Sequence, residues 1–206
     1  MATTPVSAPA EPLSPSVIKI LEGAIRAIGA RGARRLSMSD VIEASGVSRG
    51  TLYKYFSDKN DVLSAVSEFV SVNFENGVRE AAAAHRDPIE RFRAVMLFYS
   101  AYTQDQAPAR VLEFEPAFHL EFFRTHFTRH KMAVGDALAQ TFDHLDGLCR
   151  VALDRDVVVE SLVRMQLSTL IVPADPRWTG QWDAAAEDIT SWIMTLAGIV
   201  PPEQET

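Results

Sequence analysis

The chain has 206 residues and a formal net charge of −7 at pH 7, and 47% of its residues are hydrophobic. This length suits one small and one medium domain, and no apolar run reaches the roughly 18 residues that a membrane span requires. The sequence shows no secretory signal, and its single cysteine, Cys149, cannot form an internal disulfide. We therefore expect a cytoplasmic protein that does not interact with the membrane.

The N-terminal part of the sequence changes from a polar tail to a helical pattern. Residues 1–14 are rich in Ala, Pro, Ser and Thr without a hydrophobic period, which predicts a disordered tail. Ser14 and Pro15 form a cap and first-turn pair, and Gly29 and Gly32 are expected to end the helix that follows. Its apolar positions repeat at helical spacing: Ile18, Leu21, Ile25 and Ile28.

Residues 39–63 predict two short helices joined by a tight turn, followed by the start of a third. Ser39 can cap the first of these helices. Its inward apolar positions are Val41 and Ile42. Gly46 stands where a residue of positive φ lets the chain leave that helix, and Ser48 can cap the second. A DNA-reading helix is mounted in this way.

The second short helix has two different faces. Leu52 and Phe56 are four residues apart and share a face that must be buried. The opposite face suits base edges and phosphates in a major groove, and it consists of Arg49, Thr51, Tyr53 and Lys54. Ser57 can cap a further helix that begins near Lys59, so backbone amides and the ammonium group together could hold a phosphate oxygen.

Charge is unevenly distributed along the chain. Residues 16–60 carry eight Lys and Arg against four Asp and Glu, a net charge of +4, which leaves −11 for the remainder. A basic N-terminal module joined to an acidic body indicates that only one end approaches nucleic acid. The alternative is that these basic residues are simply solvated on helical surfaces.

The segment GVSRGTLYKYF, from Gly46 to Phe56, resembles the signature of the TetR family of transcription regulators. Asp58 and Lys59 continue the likeness, which covers roughly residues 16 to 66. Members of the family commonly carry a small residue where this chain has Ile42, so the packing between the two helices of the motif is expected to shift.

The resemblance implies an all-α fold with two domains. Residues 15–62 would form a three-helix helix-turn-helix DNA-binding domain, and residues 63–200 a helical effector-binding and dimerisation domain. The remaining segments are expected to be tails: 1–14 and 201–206. The sequence has no Gly-x-Ser-x-Gly elbow, phosphate loop or dinucleotide fingerprint, so we expect neither an enzyme nor a cofactor.

Seven residues are the candidate DNA-binding set. Three are expected to contact bases or the groove: Arg49, Thr51 and Tyr53. Three others are expected on phosphates: Lys54, Tyr55 and Lys59. Ser48 completes the set at the start of the reading helix.

A long helix predicted over residues 61–84 leads into the body. Its apolar face consists of Val62, Leu63, Val66, Phe69, Val70 and Phe74. A continuous helix is a rigid lever, so rotation of its far end would change the separation of two reading heads in a dimer. Asp87 and Pro88 open the next helix, which runs to about Thr103. Two prolines are expected to break the following segment into short pieces: Pro108 and Pro116.

The stretch from Phe114 to His130 is unusually aromatic, and the family keeps its effector cavity in the corresponding part of the fold. The candidate pocket residues are Phe92, Met96, Tyr99, Phe118, Phe122, Phe123, His126 and Met165. An apolar cavity of this kind favours a hydrophobic or amphipathic small molecule. An ordinary aromatic core is the alternative for each ring.

Three histidines in this stretch share one helical face: His119, His126 and His130. Neutral imidazoles at this spacing can bind a metal ion, with Glu115 as a further ligand, which would make the protein a metal-responsive regulator. His130 has Arg129 and Lys131 as neighbours, so solvated or pocket-edge polar residues are the preferred interpretation, and we predict no metal site.

The C-terminal third predicts two long helices, over residues 154–172 and 182–200. The resemblance places the family's dimer contact in these helices. The candidate interface residues are Leu162, Leu170, Trp192, Ile193 and Leu196. Burial inside one subunit is the alternative, and the sequence does not divide these positions between core and interface.

The resemblance and the charge distribution together predict a homodimeric transcription regulator. Most members of the family are repressors, so we expect a repressor that a small-molecule effector releases from a palindromic double-stranded DNA operator. A helical adaptor that binds protein instead of DNA is the remaining alternative.

Overall fold

The computed structural model describes residues 13–104, 116–148, 153–171 and 191. These ranges contain eight principal helices and no strand, which confirms the predicted all-α fold. The helices are α1 Pro15–Arg31, α2 Met38–Ser45, α3 Arg49–Tyr55, α4 Lys59–Ala83, α5 Pro88–Gln104, α6 Pro116–Ala137, α7 Ala139–Leu148 and α8 Arg155–Ile171. None of the helices in the described ranges is both long and apolar enough to cross a membrane.

The chain divides into two compact units, Met1–Val66 and Ser67–Thr206. The first unit contains α1, α2, α3 and the start of α4. The second contains the rest of α4 and the helices that follow it. The sequence analysis placed a domain boundary between residues 62 and 63.

Helix α1 begins as predicted, and of the two glycines expected to end it, only Gly32 does so. The Ser14 hydroxyl accepts a hydrogen bond from the Val17 amide at 3.4 Å, and Pro15 is the first helical residue. Gly29 lies inside the helix, which ends at Gly32 with φ 81°. The buried face of α1 is rotated from the predicted one. Two of the four predicted apolar positions, Ile18 and Ile25, are only half-buried. The fully buried apolar side chains are Ile20, Leu21, Ala24, Ala27 and Ile28.

The prediction that Ser39 caps α2 is wrong. Ser37 is the N-cap, and its hydroxyl accepts from the Asp40 amide at 3.2 Å. The Asp40 carboxylate accepts in return from the Ser37 amide at 2.9 Å, which satisfies two free donors at once. Ser39 offers no such exchange, because the residue three positions after it is Ile42. Gly46 ends α2 with φ 66°, as predicted for the tight turn.

Helices α1 and α2 approach most closely at Gly23 and Ser45. A Cβ atom added to Gly23 would lie 2.5 Å from the Ser45 Cβ, closer than packed side chains approach. The Ser45 hydroxyl is buried and donates to the Val41 carbonyl at 2.6 Å. Ile42, where the sequence predicted altered packing, is only half-buried. The tight contact between the helices therefore depends on small residues at positions 23 and 45.

The second unit has an aromatic and aliphatic core between α4, α5, α6, α7 and α8. Its largest members include Phe74, Phe92, Met96, Tyr99, Leu138, Phe142 and Leu162. Asp87 caps α5 by accepting from the Ile89 and Glu90 amides, both at 2.9 Å. Of the segment that two prolines were expected to break, the structure describes only Pro116. It is the first residue of the 22-residue helix α6, a position where its missing amide proton has no cost.

Several predictions fall on residues outside the described ranges. These are the helix over 182–200, the C-terminal tail, most of the N-terminal tail, Pro108, Glu115 and Cys149. The helix predicted over 154–172 is observed as α8, where the Asp154 carboxylate caps the first turn by accepting from the Val157 amide at 3.2 Å.

The contact between Gly23 and Ser45 predicts a destabilised Gly23→Ala variant. Overpacking typically costs about 1–3 kcal/mol, which outweighs the gain of up to about 1 kcal/mol for replacing a helical glycine by alanine. Urea unfolding followed by circular dichroism measures the difference. Gly29→Ala is the matched control, because no atom lies within 4 Å of the added Cβ, and its stability should be equal or higher. Equal stability of both variants would contradict this account.

Candidate nucleic-acid interface and effector site

Helix α3 is mounted by its own cap and by two buried side chains. The Ser48 hydroxyl accepts from the Thr51 amide at 3.1 Å and lies 2.8 Å from the Thr51 hydroxyl. On the inner side, Leu52 is 0% exposed and Phe56 is 8% exposed, as the sequence predicted. Burial of these two side chains fixes which face of α3 remains outside.

The outer face of α3 is cationic and aromatic. Tyr53 and Tyr55 are 43% and 38% exposed, and Arg49 and Lys54 are exposed as well. The Arg49 guanidinium lies 5.3 Å from the centre of the Tyr53 ring, and the Lys54 ammonium lies 5.3 Å from the centre of the Tyr55 ring. Each cation is therefore held against a ring by cation–π attraction while it stays accessible.

Two members of the candidate set are already engaged within the protein. The hydroxyls of Ser48 and Thr51 share a hydrogen bond, and Thr51 is half-buried. These two residues therefore stabilise the start of α3, and a contact with DNA would require their hydroxyls to exchange partners. The accessible polar groups of this face belong to Arg49, Tyr53, Lys54 and Tyr55.

The start of α4 differs from the prediction. Asp58, not Ser57, caps the helix, and its carboxylate accepts from the amides of Asn60 at 2.7 Å and Asp61 at 3.1 Å. The Ser57 amide donates to the Asp61 carboxylate at 2.9 Å. The predicted phosphate cradle of free amides is therefore filled by a carboxylate of the chain itself, which also repels an incoming anion.

Lys59 also has an intramolecular partner. Its ammonium group donates to the Arg34 carbonyl at 3.1 Å, and the side chain is half-buried. The bond ties α4 to the turn between α1 and α2, on which the side chains of Arg34 and Arg35 are exposed. Lys59 therefore holds a turn that presents two guanidinium groups.

In the second unit, polar pairs join α4 to α6. Ser67 Oγ and His126 Nε2 share a hydrogen bond at 2.9 Å, and Ser71 Oγ and His130 Nε2 share one at 3.0 Å. The Ser71 hydroxyl donates its only proton to the Glu75 carboxylate at 3.0 Å. His130 Nε2 must therefore be the donor towards Ser71, which fixes the tautomer of this imidazole.

The histidines were expected to be solvated or pocket-edge polar residues, and the first of these interpretations is wrong for His130. Both His126 and His130 are 5% exposed. Arg129 points to other partners, with its guanidinium 2.8 Å from the Glu68 carboxylate and 2.9 Å from that of Glu75. Successive residues of a helix point in different directions, so a polar cluster in the sequence need not form a cluster in space.

Burial keeps the three imidazoles neutral. It lowers the pKa of His119 and of His126. Burial lowers the pKa of His130 to about 4, helped by the repulsion that a protonated His126 would exert and by the charge of Arg129. Desolvation disfavours the charged form of each ring.

The metal-responsive alternative finds no support in the described ranges, where no group of three or more His, Cys, Asp or Glu residues could hold a metal ion. The Nε2 atoms of His126 and His130 are instead bonded to serines.

The predicted pocket residues fall into two groups. Phe92, Met96 and Tyr99 are buried in the core of the unit, and Met165 packs against that core. The second group lies on α6. Its phenylalanines, Phe118, Phe122 and Phe123, are half-buried, and the buried His126 contacts the Phe122 ring. A separate groove of about 330 Å³ between α6, α7 and α8 contains none of the predicted pocket residues.

Among the buried polar atoms of the second unit that have no hydrogen-bond partner in the described part of the chain are Tyr99 Oη, His119 Nδ1 and His126 Nδ1. Burial raises the pKa of the Tyr99 hydroxyl, which therefore stays protonated. Unpaired buried polar atoms are unfavourable, and they commonly mark places where water or a ligand binds.

The sequence analysis missed the polar residues of α4 that face α6. Ser67, Ser71 and Glu75 recur every four residues and interrupt the apolar face of α4, and this spacing is the signal that could have found them.

The predicted dimer contact is corrected at one position. Leu162 is 3% exposed within a single chain and belongs to the core of its own unit. The side chain of Leu170 and residues Trp192, Ile193 and Leu196 lie outside the described part. On α8, Val157 is the exposed large apolar side chain among the described residues.

Comparison with known proteins identifies the N-terminal segment. Residues 20–66 match the family of bacterial regulatory proteins called tetR. The chain is 42% identical over 50 residues to the uncharacterized HTH-type transcriptional regulator YvdT of Bacillus subtilis, which covers 24% of this chain and 26% of YvdT. It is 26% identical over 157 residues to the HTH-type transcriptional regulator AcrR of Shigella flexneri, which covers 76% of this chain and 66% of AcrR.

The fold also has a close structural counterpart. The fatty acid degradation regulator FadR from Bacillus halodurans aligns with a TM-score of 0.68 at 17% identity, over 89% of this chain and 96% of FadR. The sequence matches span about a quarter of YvdT and 66% of AcrR. Together these findings agree with the resemblance seen in the sequence and with the expectation that the chain is not an enzyme.

The buried histidines predict that the protein becomes less stable as the pH is lowered. Unfolded imidazoles bind protons near pH 6.5, whereas folded His130 does so only near pH 4, so the unfolded state binds more protons between these values. Between pH 7 and 5.5, His130 alone should lower the free energy of unfolding by about 1 kcal/mol, above the range in which ordinary carboxylates titrate.

Urea unfolding at several pH values measures this slope. His130→Gln keeps an N–H donor for Ser71 but has no titrating group, so its slope should be shallower than that of the parent. His144→Gln, at an exposed position on α7, is the control and should keep the parent slope. An unchanged slope in His130→Gln would show that this imidazole does not titrate differently in the two states.

Proposed function

We propose that this chain, which belongs to the TetR family of bacterial regulatory proteins, is a transcription regulator that reads DNA with α3. The observation that carries the proposal is the two-sided character of α3. Its inner side is anchored by the fully buried Leu52, and its outer side exposes two cations and two tyrosines. A short helix held in this way can enter a major groove with its polar face towards the bases.

The two cations of α3 have different tasks in this proposal. The planar guanidinium of Arg49, steadied over the Tyr53 ring, can donate two parallel hydrogen bonds to a guanine edge. The Lys54 ammonium is a point charge near the end of α3 and suits a backbone phosphate. Arg34 and Arg35, on the turn held by Lys59, supply further positive charge for the backbone.

The regulator acts as a homodimer in the cytoplasm. Two copies of α3 would read half-sites of a palindromic operator whose centres are roughly 34–36 Å apart or a multiple of that distance. A hydrophobic or amphipathic small molecule bound in the second unit favours a different arrangement of the dimer and releases the operator, which makes the protein a repressor. The buried unpaired atoms of Tyr99, His119 and His126 support a ligand site in this unit.

A gel-shift experiment with the chain's own promoter region, at stated salt concentrations, tests the proposal. A discrete complex that survives excess unrelated DNA is expected. Binding that is equally strong on all fragments, or absent at low salt, would refute the proposal.

The division of tasks on α3 can be measured by fluorescence anisotropy. Lys54→Ala should weaken binding to every fragment and reduce the salt slope by about one unit. Arg49→Ala should cost about 1–3 kcal/mol and relax the preference at one base pair. Lys19→Ala, at an exposed position on α1, is the matched loss of charge and should have a smaller effect. Identical profiles for the three variants would contradict this division.

The bond between Lys59 and the Arg34 carbonyl predicts coupling between Lys59 and the turn. Lys59→Ala should weaken DNA binding on all sequences. The loss should be smaller when Arg35 is already alanine, because Lys59 acts partly by holding the turn that positions the Arg35 side chain. Coupling of about 0.5 kcal/mol or more is expected between the two substitutions. Lys54→Ala combined with Arg35→Ala is the control pair and should be additive. Additive effects for Lys59 and Arg35 would instead indicate an independent phosphate contact by Lys59.

A further inference from the structure

Four rings on α6 form a continuous strip, which we call the ring strip: His119, Phe122, Phe123 and His126. The ring centroids of His119 and Phe123 lie 5.3 Å apart, those of Phe123 and Phe122 5.6 Å, and those of Phe122 and His126 4.8 Å. The two phenylalanines are only half-buried. The ring strip therefore keeps aromatic surface available, and such surface pairs favourably with another ring.

Each end of the ring strip carries a buried nitrogen that lacks a hydrogen-bond partner among the described residues. These atoms are Nδ1 of His119 and Nδ1 of His126. His126 is 5% exposed and uses its other nitrogen to bond Ser67. The two histidines are seven residues apart, which places them on the same face of α6 and about 10 Å apart along its axis. A molecule that pairs with both nitrogens would remove two unfavourable unpaired atoms.

The surroundings of the ring strip select against charge. Burial lowers the pKa of both imidazoles, so they are neutral at pH 7. The closest ionic groups to His126 include Arg129 and Glu68, which bond each other at 2.8 Å. A carboxylate or an ammonium group would lose its hydration here and find no free opposite charge from these two residues.

We infer that the ring strip binds an uncharged compound of two linked aromatic rings with a hydroxyl group at each end. The rings would lie along Phe122 and Phe123, and the hydroxyls would pair with the two Nδ1 atoms. A hydroxyl group both donates and accepts, so it can pair with either tautomer of each imidazole. The inference rests on the proposed effector binding by the second unit, and it specifies the chemical class of that effector.

Calorimetric titration of the full-length protein at neutral pH tests this class with three probes. They are 4,4′-dihydroxybiphenyl, 4-hydroxybiphenyl and biphenyl-4,4′-dicarboxylate. The diol should bind tightest, the single alcohol about 5- to 10-fold more weakly for the lost hydrogen bond, and the dicarboxylate weakest of all. The inference is overturned if the diol shows no binding at millimolar concentration, binds no better than the single alcohol, or is matched by the dicarboxylate.

A variant of the ring strip tests the position of the site. His119→Phe keeps a ring but removes the nitrogen, so it should lower the affinity for the diol to that of the single alcohol. The affinity for the single alcohol should change by less than about two-fold, because it still pairs with His126. His144→Phe, at an exposed position on α7, is the control and should bind like the parent protein. An unchanged affinity for the diol would place the site elsewhere, and equal losses for both alcohols would refute the pairing of His119 with the second hydroxyl.

Two further measurements keep the outcomes distinct. Circular dichroism shows whether His119→Phe is folded. If it is not, the order of affinities of the three probes for the parent protein still tests the proposed ligand class. Operator binding is measured without any probe. If the protein binds its operator and the probes fail, only the ligand class is wrong, whereas loss of operator binding refutes the regulator proposal whatever the probes do.

Discussion

Helices α1 and α2 pack so closely at Gly23 that no side chain fits between their backbones. At Gly23 a Cβ atom would overlap Ser45, so the distance between the two helices is set by a hydrogen atom on one side and a small side chain on the other. Arg26 reinforces the contact by donating to the Ala44 carbonyl at 2.9 Å. Helix α2 ends immediately afterwards at Gly46, and α3 begins three residues later. The position of α3 therefore depends on the steric limit between α1 and α2.

The helices of this chain could be predicted largely because their signals are local. The Ser14 cap, the Gly46 turn, the Ser48 cap and the Asp87 cap all involve residues within four positions of one another. The two wrong caps arose between neighbours that offer the same hydrogen bond. Ser37 prevails over Ser39 because Asp40 reciprocates three positions later, and Asp58 replaces Ser57 at the start of α4. The first of these signals is present in the sequence, because Asp40 stands three positions after Ser37, whereas Ile42 stands three positions after Ser39.

The contacts of the second unit could not be derived in the same way. Ser67 and His126 are 59 residues apart, as are Ser71 and His130, and no local pattern reveals which helix packs on which. The aromatic stretch was recognised, but its division into core and accessible surface depends on that packing. Phe92 and Tyr99 lie in the core, whereas Phe122 and Phe123 are half-buried. Leu162 shows the same limit, because an apolar stripe alone does not distinguish a subunit core from an interface.

The two units use polar groups under opposite physical conditions. On α3 the cations remain in water, where their attraction to phosphates is long-ranged but screened by salt, so many weak contacts must act together. Between α4 and α6 the buried polar atoms are few and most of them are neutral, and each hydrogen bond made or missed there counts fully because water does not compete. The Glu75 carboxylate is tolerated in this setting only because Ser71 and Arg129 both bind it. In the proposed function, the exposed charge of α3 attaches the chain to a polyanion and the buried polar groups of the second unit bind a small molecule, so neither requirement compromises the other.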